Sequence, residues 1–185
     1  MSPLEWIATA LGVLCVVLGV RRRVETFPAA IVSVLLIAWV VWRQKLYSDA
    51  LLQLFFVAAN LYGWANWRRS ERQAGEVVVE RMTAREIAAW GVGCVVATAV
   101  WGGAMARLTD AAYPWWDAGT AVLSVAAQVL MAQRRLENWL LWVVVDVALI
   151  PLYLIKGLPI LAALYLFYLA LSVWGLLQWR GAVCA

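Results

Sequence analysis

The chain has 185 residues, of which 65% are apolar and only 14% are charged, with a formal net charge of +4. Soluble domains are roughly 45–50% apolar and about 25% charged, so this composition excludes an ordinary soluble enzyme. The mean hydropathy of +0.81 indicates an integral membrane protein.

Apolar stretches between charged clusters predict the transmembrane helices. A bilayer core of about 30 Å requires about 20 apolar residues per helix. Seven stretches approach this length, near residues 4–20, 26–42, 46–66, 86–106, 115–132, 138–155 and 158–179. Most connections are short and charged, and only the connection over 68–85 is long. The sequence therefore predicts an all-α membrane protein with seven transmembrane helices.

The distribution of Lys and Arg predicts the orientation. With the N-terminus outside, eleven of the 15 basic residues fall in cytoplasmic segments: Arg21, Arg22, Arg23, Arg68, Arg69, Arg72, Arg81, Arg85, Arg134, Arg135 and Arg180. The outer segments hold the other four, Arg43, Lys45, Arg107 and Lys156. Since cytoplasmic loops carry the excess of basic residues, we expect the N-terminus outside and the C-terminus in the cytoplasm. The positive charge then reflects topology, and no nucleic-acid partner is expected.

An internal repeat predicts the architecture. Shifting the chain by 112 residues aligns 5–67 with 117–179 without a gap. The identical pairs include Arg22/Arg134, Arg23/Arg135, Glu25/Glu137, Gly63/Gly175 and Trp67/Trp179. Each copy holds three helices, so one further helix is needed to keep both copies in the same orientation. We expect a first repeat over 1–67, a loop and linker helix over 68–114, and a second repeat over 115–185.

Polar and aromatic residues inside the predicted spans form the candidate binding site. The third span places Gln53, Phe56, Asn60 and Trp64 three or four residues apart, on one helical face. The other candidates are Gln128, Asn138, Trp142, Asp146 and Tyr168. Polar groups in hydrocarbon are costly and commonly functional, although they also form hydrogen bonds between helices. For the amides and Asp146 together, we favour a substrate site between the two repeats.

Asp146 is the most informative of these residues. It lies about eight residues into an apolar span, and no Lys or Arg lies at matching depth. Such a carboxylate is protonated, paired or in contact with a cationic ligand. Trp142, one turn earlier, offers an indole face for cation–π contact. The chain contains no histidine and no cofactor motif, and Cys15, Cys94 and Cys184 are isolated. We therefore expect no catalytic residue, metal or cofactor.

Three stretches, over 45–56, over 60–67, and over 137–146 with 152–157, resemble the bacterial PnuC family of nicotinamide riboside transporters. The resemblance implies a 3+1+3 fold similar to full-length SWEET transporters. It also implies facilitated diffusion of this NAD precursor across the inner membrane, with trapping by a cytosolic kinase. Members similar in sequence carry thiamine or riboflavin, so thiamine remains the main alternative substrate and riboflavin a weaker one.

Two other functional classes are disfavoured. A membrane enzyme needs a nucleophile, metal cluster or cofactor site, and a receptor needs a signalling domain; the sequence offers none of these. The expected partners are a small vitamin or nucleoside and the lipid bilayer, and a second copy of the chain stays open as a further partner.

Overall fold

Seven α-helices account for most of the chain. The structure is a computed structural model that describes residues 3–43, 47–110 and 112–184; Lys45 lies outside this part. The helices are α1 (Pro3–Val20), α2 (Thr26–Arg43), α3 (Tyr47–Ala74), α4 (Ala84–Leu108), α5 (Pro114–Ala132), α6 (Asn138–Ile155) and α7 (Pro159–Cys184). Each predicted stretch corresponds to one of these helices. Within the described residues, the only β-pairing is one isolated bridge between Glu80 and Arg135.

Helix α3 is longer than its apolar stretch. The sequence predicts an end near residue 66, but α3 continues through Arg68, Arg69 and Arg72 to Ala74. Arg, Glu, Gln and Ala all favour helix, so the loss of apolar character does not end it. Gly75 ends it by adopting a φ of +79°, the left-handed conformation typical of helix C-termini.

Six of the helices form a closed ring. Consecutive neighbours around the ring are α1, α2, α3, α5, α6 and α7, and α7 packs back against α1. Helix α4 lies outside this ring and packs against α5, its only helical neighbour in the described part of the chain. The ring therefore combines α1–α3 with α5–α7 and encloses a central space.

The outer surface is apolar. Three described helical segments are long and apolar enough to cross a membrane, namely Ala84–Leu108, Asn138–Ile155 and Pro159–Val183, and Thr9–Val20 and Thr26–Trp39 form shorter apolar segments. On α4, Val92, Val95, Val96 and Val100 are all exposed. Soluble monomers rarely expose apolar surface on this scale, so this face is suited to lipid.

One end of the ring carries most of the buried aromatic side chains. Two equivalent turns lie there, the α1–α2 turn (21–25) and the α5–α6 turn (133–137), together with the segment over 75–83 that joins α3 to α4. We call this end of the ring the arginine end, and we call the segment over 75–83 the strap. Beneath the strap lies a row of four buried rings, Phe27, Trp67, Trp179 and Trp139, with successive ring centroids 4.9, 5.5 and 5.6 Å apart.

Two glycines allow this row to pack. A Cβ at Gly63 would overlap the ring of Phe27, and a Cβ at Gly175 would overlap the indole of Trp139. Because interiors have little free volume, both positions require glycine. The aromatic row therefore depends on one glycine from α3 and one from α7.

Candidate binding cavity

A cavity of about 240 Å³ lies inside the ring. All six ring helices contribute to its lining, and α4 contributes nothing. Phe27 and Trp139 line the cavity and also belong to the aromatic row at the arginine end. The aromatic row therefore forms the cavity wall nearest the arginine end.

Asp146 supplies a carboxylate to the cavity wall. It is only 3% exposed, and Ser172 Oγ of α7 donates a hydrogen bond to its Oδ2 at 2.9 Å. Among the described residues no Lys or Arg lines the cavity. A buried carboxylate without a cationic neighbour favours a positively charged ligand or a proton.

Two amides connect α3 and α5 at the cavity. Gln128 Nε2 donates to Asn60 Oδ1 at 3.1 Å, and Asn60 Nδ2 donates to the carbonyl of Phe56 at 2.7 Å. These bonds fix the amide orientations, since each amide can both donate and accept. The pair therefore presents a defined polar surface to a ligand that bears hydroxyl or amide groups.

Aromatic rings surround these polar groups. Trp139 and Trp142 of α6 and Phe56 of α3 line the cavity together with Tyr165 and Tyr168 of α7. The rings of Tyr165 and Tyr168 contact each other with centroids 5.8 Å apart. A cavity with several aromatic faces, two amides and one carboxylate suits a flat, cationic, hydroxyl-bearing solute.

A family model described as the nicotinamide mononucleotide transporter matches residues 2–181. The chain belongs to this family. Its relatives include nicotinamide riboside transporters named PnuC from Escherichia coli and Neisseria mucosa, which are 26% and 32% identical. Those matches cover 97% and 98% of this chain, and 85% and 74% of the relatives.

Two further relatives extend the comparison. The riboflavin/roseoflavin transporter RibM from Streptomyces davaonensis is 30% identical, over 95% of this chain and 83% of RibM. A crystal structure of the vitamin B3 transporter PnuC has a TM-score of 0.79 and 32% identity, and the match covers 98% of this chain and 82% of that one. The predicted resemblance to PnuC is confirmed, and so is the prediction that the chain is not an enzyme.

In this PnuC-family chain, six of the nine predicted site residues line the cavity. They are Phe56, Asn60, Gln128, Trp142, Asp146 and Tyr168. They come from α3, α5, α6 and α7, which are separate in sequence and adjacent in the ring.

The other three predicted residues lie elsewhere. Gln53 is half-buried on the face of Asn60 but about 10 Å farther along α3, beyond the cavity. Trp64 packs against the arginine-end core, with the Arg68 guanidinium 5.0 Å from its ring centroid. Asn138 is fully buried and donates to the carbonyl of Arg135 at 2.6 Å. Helical spacing identified their faces but not the depth of the cavity.

Several cavity residues escaped the sequence prediction. Trp139, Tyr165 and Ser172 line the cavity, as do residues of α1 and α2. Tyr165 and Ser172 share the polar face of Tyr168, but a lone serine in a span commonly serves helix packing. The residues of α1 and α2 gave little polar signal because most of their lining side chains are small or apolar. The repeat offered a signal for Ser172, because Ser172 is the equivalent of the predicted site residue Asn60.

Metal binding finds no support in the described part of the chain. It contains no group of three His, Cys, Asp or Glu side chains that could hold a metal ion. The chemistry available in the cavity is recognition by charge, stacking and hydrogen bonding.

Proposed function

We propose that this protein carries nicotinamide riboside across the bacterial inner membrane through the central cavity. The observation that carries the proposal is the burial of Asp146 beside Trp142 in a cavity without a Lys or Arg among the described residues. Nicotinamide riboside combines a pyridinium cation with ribose hydroxyls, which these groups complement. The PnuC relatives, named as transporters of this compound, support the same substrate.

The cavity residues divide into three roles in this proposal. Asp146 balances the pyridinium charge, and Trp142 stacks on the ring. Asn60 and Gln128 hydrogen-bond the ribose or carboxamide, while Phe56 and Tyr168 close the cavity around the solute. Gln53, Trp64 and Asn138 are assigned no direct contact, because they lie outside the cavity lining.

The proposed architecture is two parallel three-helix repeats joined by α4. Two hydrogen bonds support it, because their donor residues are equivalent under the 112-residue offset and so are their acceptor residues. Trp67 Nε1 donates to the carbonyl of Met131 at 3.0 Å, and Trp179 Nε1 donates to the carbonyl of Gly19 at 3.1 Å. Each bond crosses from one repeat to the other, as an axis along the membrane normal requires. The repeats correspond to 1–67 and 115–185, with 68–114 between them.

The proposed orientation has the N-terminus outside and the C-terminus in the cytoplasm. The support is the eleven-to-four distribution of Lys and Arg, since cytoplasmic loops carry the excess of basic residues. The arginine end then faces the cytoplasm. We expect passive movement, with net uptake driven by trapping of the substrate inside the cell, because the sequence contains no nucleotide-binding motif.

Riboflavin and thiamine are the alternative substrates. The likeness to RibM favours considering riboflavin, a neutral and larger solute that gains nothing from the charge of Asp146. Thiamine is an aromatic cation and uses the same chemistry as nicotinamide riboside.

Competition binding distinguishes the three vitamins. Purified protein is incubated with labelled nicotinamide riboside and increasing amounts of each unlabelled vitamin. We expect unlabelled nicotinamide riboside to compete at the lowest concentration. Stronger competition by thiamine or riboflavin would reassign the substrate. Uptake into proteoliposomes without an ion gradient then tests passive transport, and accumulation that requires a proton or sodium gradient would contradict it.

A further inference from the structure

The strap contacts both equivalent turns at the arginine end. It is extended, and its three central valines alternate in exposure. Val77 and Val79 are buried in the core with the aromatic row, whereas Val78 is exposed. Val77 and Val79 of the strap therefore pack on the aromatic row, between the row and the arginine-end surface.

The α5–α6 turn holds the strap through many polar contacts. The backbone N–H of Glu80 donates to the carbonyl of Arg134 at 3.0 Å, and that of Leu136 donates to the carbonyl of Glu80 at 2.9 Å. Arg134 adds an ion pair with Glu80 at 2.7 Å and a bond from Nε to the carbonyl of Val78 at 3.0 Å. Arg135 also pairs with Glu80, at 3.5 Å.

Among the described residues, the α1–α2 turn makes its polar contacts with the strap through one side chain, that of Arg22. Arg22 NH1 lies 3.1 Å from Glu76 Oε2 and donates to the carbonyl of Val77 at 3.3 Å. The Glu76 side chain is 63% exposed, and exposed ion pairs contribute little to stability. The strap is therefore attached firmly to one turn and weakly to the other.

We propose that the strap is part of the gate at the arginine end, and that it stays on the α5–α6 turn while the α1–α2 turn moves away from it. This rests on the proposed transport function and orientation. Opening breaks the contacts of Arg22 with Glu76 and Val77, exposes Val77 and Val79, and separates Phe27 from the aromatic row. Gly75, whose φ is +79° and whose Cβ position is in open space, lets the strap change direction relative to α3.

Cys15 provides a native reporter of this opening, because it lines the cavity. In a chain with Cys94 and Cys184 replaced by alanine, labelling by a membrane-impermeant thiol reagent is measured from each side of reconstituted vesicles. Glu76→Gln is expected to accelerate labelling from the arginine side about two- to fivefold, the range that loss of an exposed ion pair supports. Labelling from the opposite side should not increase.

Glu25→Gln is the matched control. Glu25 pairs with Arg23 at 3.4 Å within the same turn and has no described contact with the strap, so its labelling rate should stay at the parent value. Equal acceleration in Glu25→Gln and Glu76→Gln, or none in Glu76→Gln, would overturn the proposal.

A disulfide between the strap and the α5–α6 turn tests whether the strap stays on that turn during transport. Glu80 and Arg135 face each other in a parallel β-bridge, a separation that a disulfide can span. In Glu80→Cys/Arg135→Cys, the oxidised protein should transport at the rate of the reduced protein. Loss of transport on oxidation, restored by reduction, would show that the strap must leave this turn and would overturn the proposal. Cys15 labelling uses no substrate, so the gate is tested independently of whether nicotinamide riboside binds.

Discussion

The two helices α2 and α6 form equivalent walls of the cavity but carry different chemistry. With the offset of 112, Phe27, Ala30 and Val34 of α2 correspond to Trp139, Trp142 and Asp146 of α6, and all six residues line the cavity. The α6 wall provides two indole rings and a carboxylate, whereas the α2 wall provides one phenyl ring and the smaller apolar side chains of Ala30 and Val34. In the proposed site, the α6 wall thus contacts the charged ring of the solute, and the α2 wall leaves room for it.

The two turns at the arginine end also have equivalent sequences but make different contacts. Arg22 and Arg134 both have positive φ, 56° and 63°, and both contact the strap. The Arg134 side chain is 15% exposed and the Arg22 side chain 31%. The strap occurs once, whereas the turns occur twice. The two Arg-Arg-x-Glu sequences therefore make different contacts with the strap.

The largest expected effect is on stability, from removing each arginine in turn. Arg134→Ala loses an ion pair with Glu80 and bonds to the carbonyls of Val78 and Asn66. We expect a loss of about 2–4 kcal/mol in unfolding free energy, since one fully formed bond to a charged group contributes about 1.5–3 kcal/mol and partly exposed bonds contribute less. For Arg22→Ala the loss should be about 0.5–1 kcal/mol. Denaturant unfolding followed by tryptophan fluorescence measures both, and equal losses would refute the unequal attachment.

The charge of the α6 wall is tested by Asp146→Asn. This change keeps the shape of the side chain and removes its charge, so the affinity for nicotinamide riboside should fall about ten- to a hundredfold, from the loss of about 1.5–3 kcal/mol. Calorimetry measures the affinity. The neutral dihydronicotinamide form serves as the control ligand, and its affinity should change much less. A similar loss for both forms would show that Asp146 does not act through its charge.

Making the two walls alike at one position tests the stacking surface. Trp142→Ala gives α6 the residue that α2 carries at position 30. We expect a loss of about 0.5–2 kcal/mol in binding, or several-fold to tens-fold in affinity. Trp101→Ala is the control, because Trp101 is exposed on α4 outside the ring. An unchanged affinity in Trp142→Ala would place the ring of the solute elsewhere.

The smallest expected effect concerns Ser172, which donates a hydrogen bond to Asp146. Ser172→Ala removes the hydrogen bond to Oδ2 and should weaken binding by about 0.5–1.5 kcal/mol. Ser124→Ala is its control, since Ser124 Oγ donates to the carbonyl of Thr120 at 2.8 Å and does not line the cavity. Equal effects of the two serine variants would mean that Ser172 contributes only to helix packing.

Much of the helical framework could be read from the sequence. Apolar length between charged clusters located all seven helices, and α6 was located at its observed bounds, 138–155. The end of α3 was missed because hydropathy reports contact with lipid, whereas helix continuation depends on backbone propensity. Charged residues with high helix propensity carry α3 beyond the apolar stretch as far as Gly75.

The candidate site could be read only in part. Asp146 and Trp142 were identifiable because a carboxylate in an apolar span is costly and an indole one turn away shares its face. Helical periodicity gives the direction of a side chain around its axis. It does not give the height at which six helices leave space between them, so Gln53 was included and Trp139 was not.

By itself, the sequence determined the membrane class, the helix count and the 112-residue repeat, because these follow from local composition and from similarity along the chain. Only the tertiary structure decided that the ring closes between α1 and α7, which residues share the cavity, and that the strap binds one turn more firmly than the other. These are properties of contacts between distant segments. The sequence does not determine them, because two turns with the same Arg-Arg-x-Glu sequence make different contacts with the one strap.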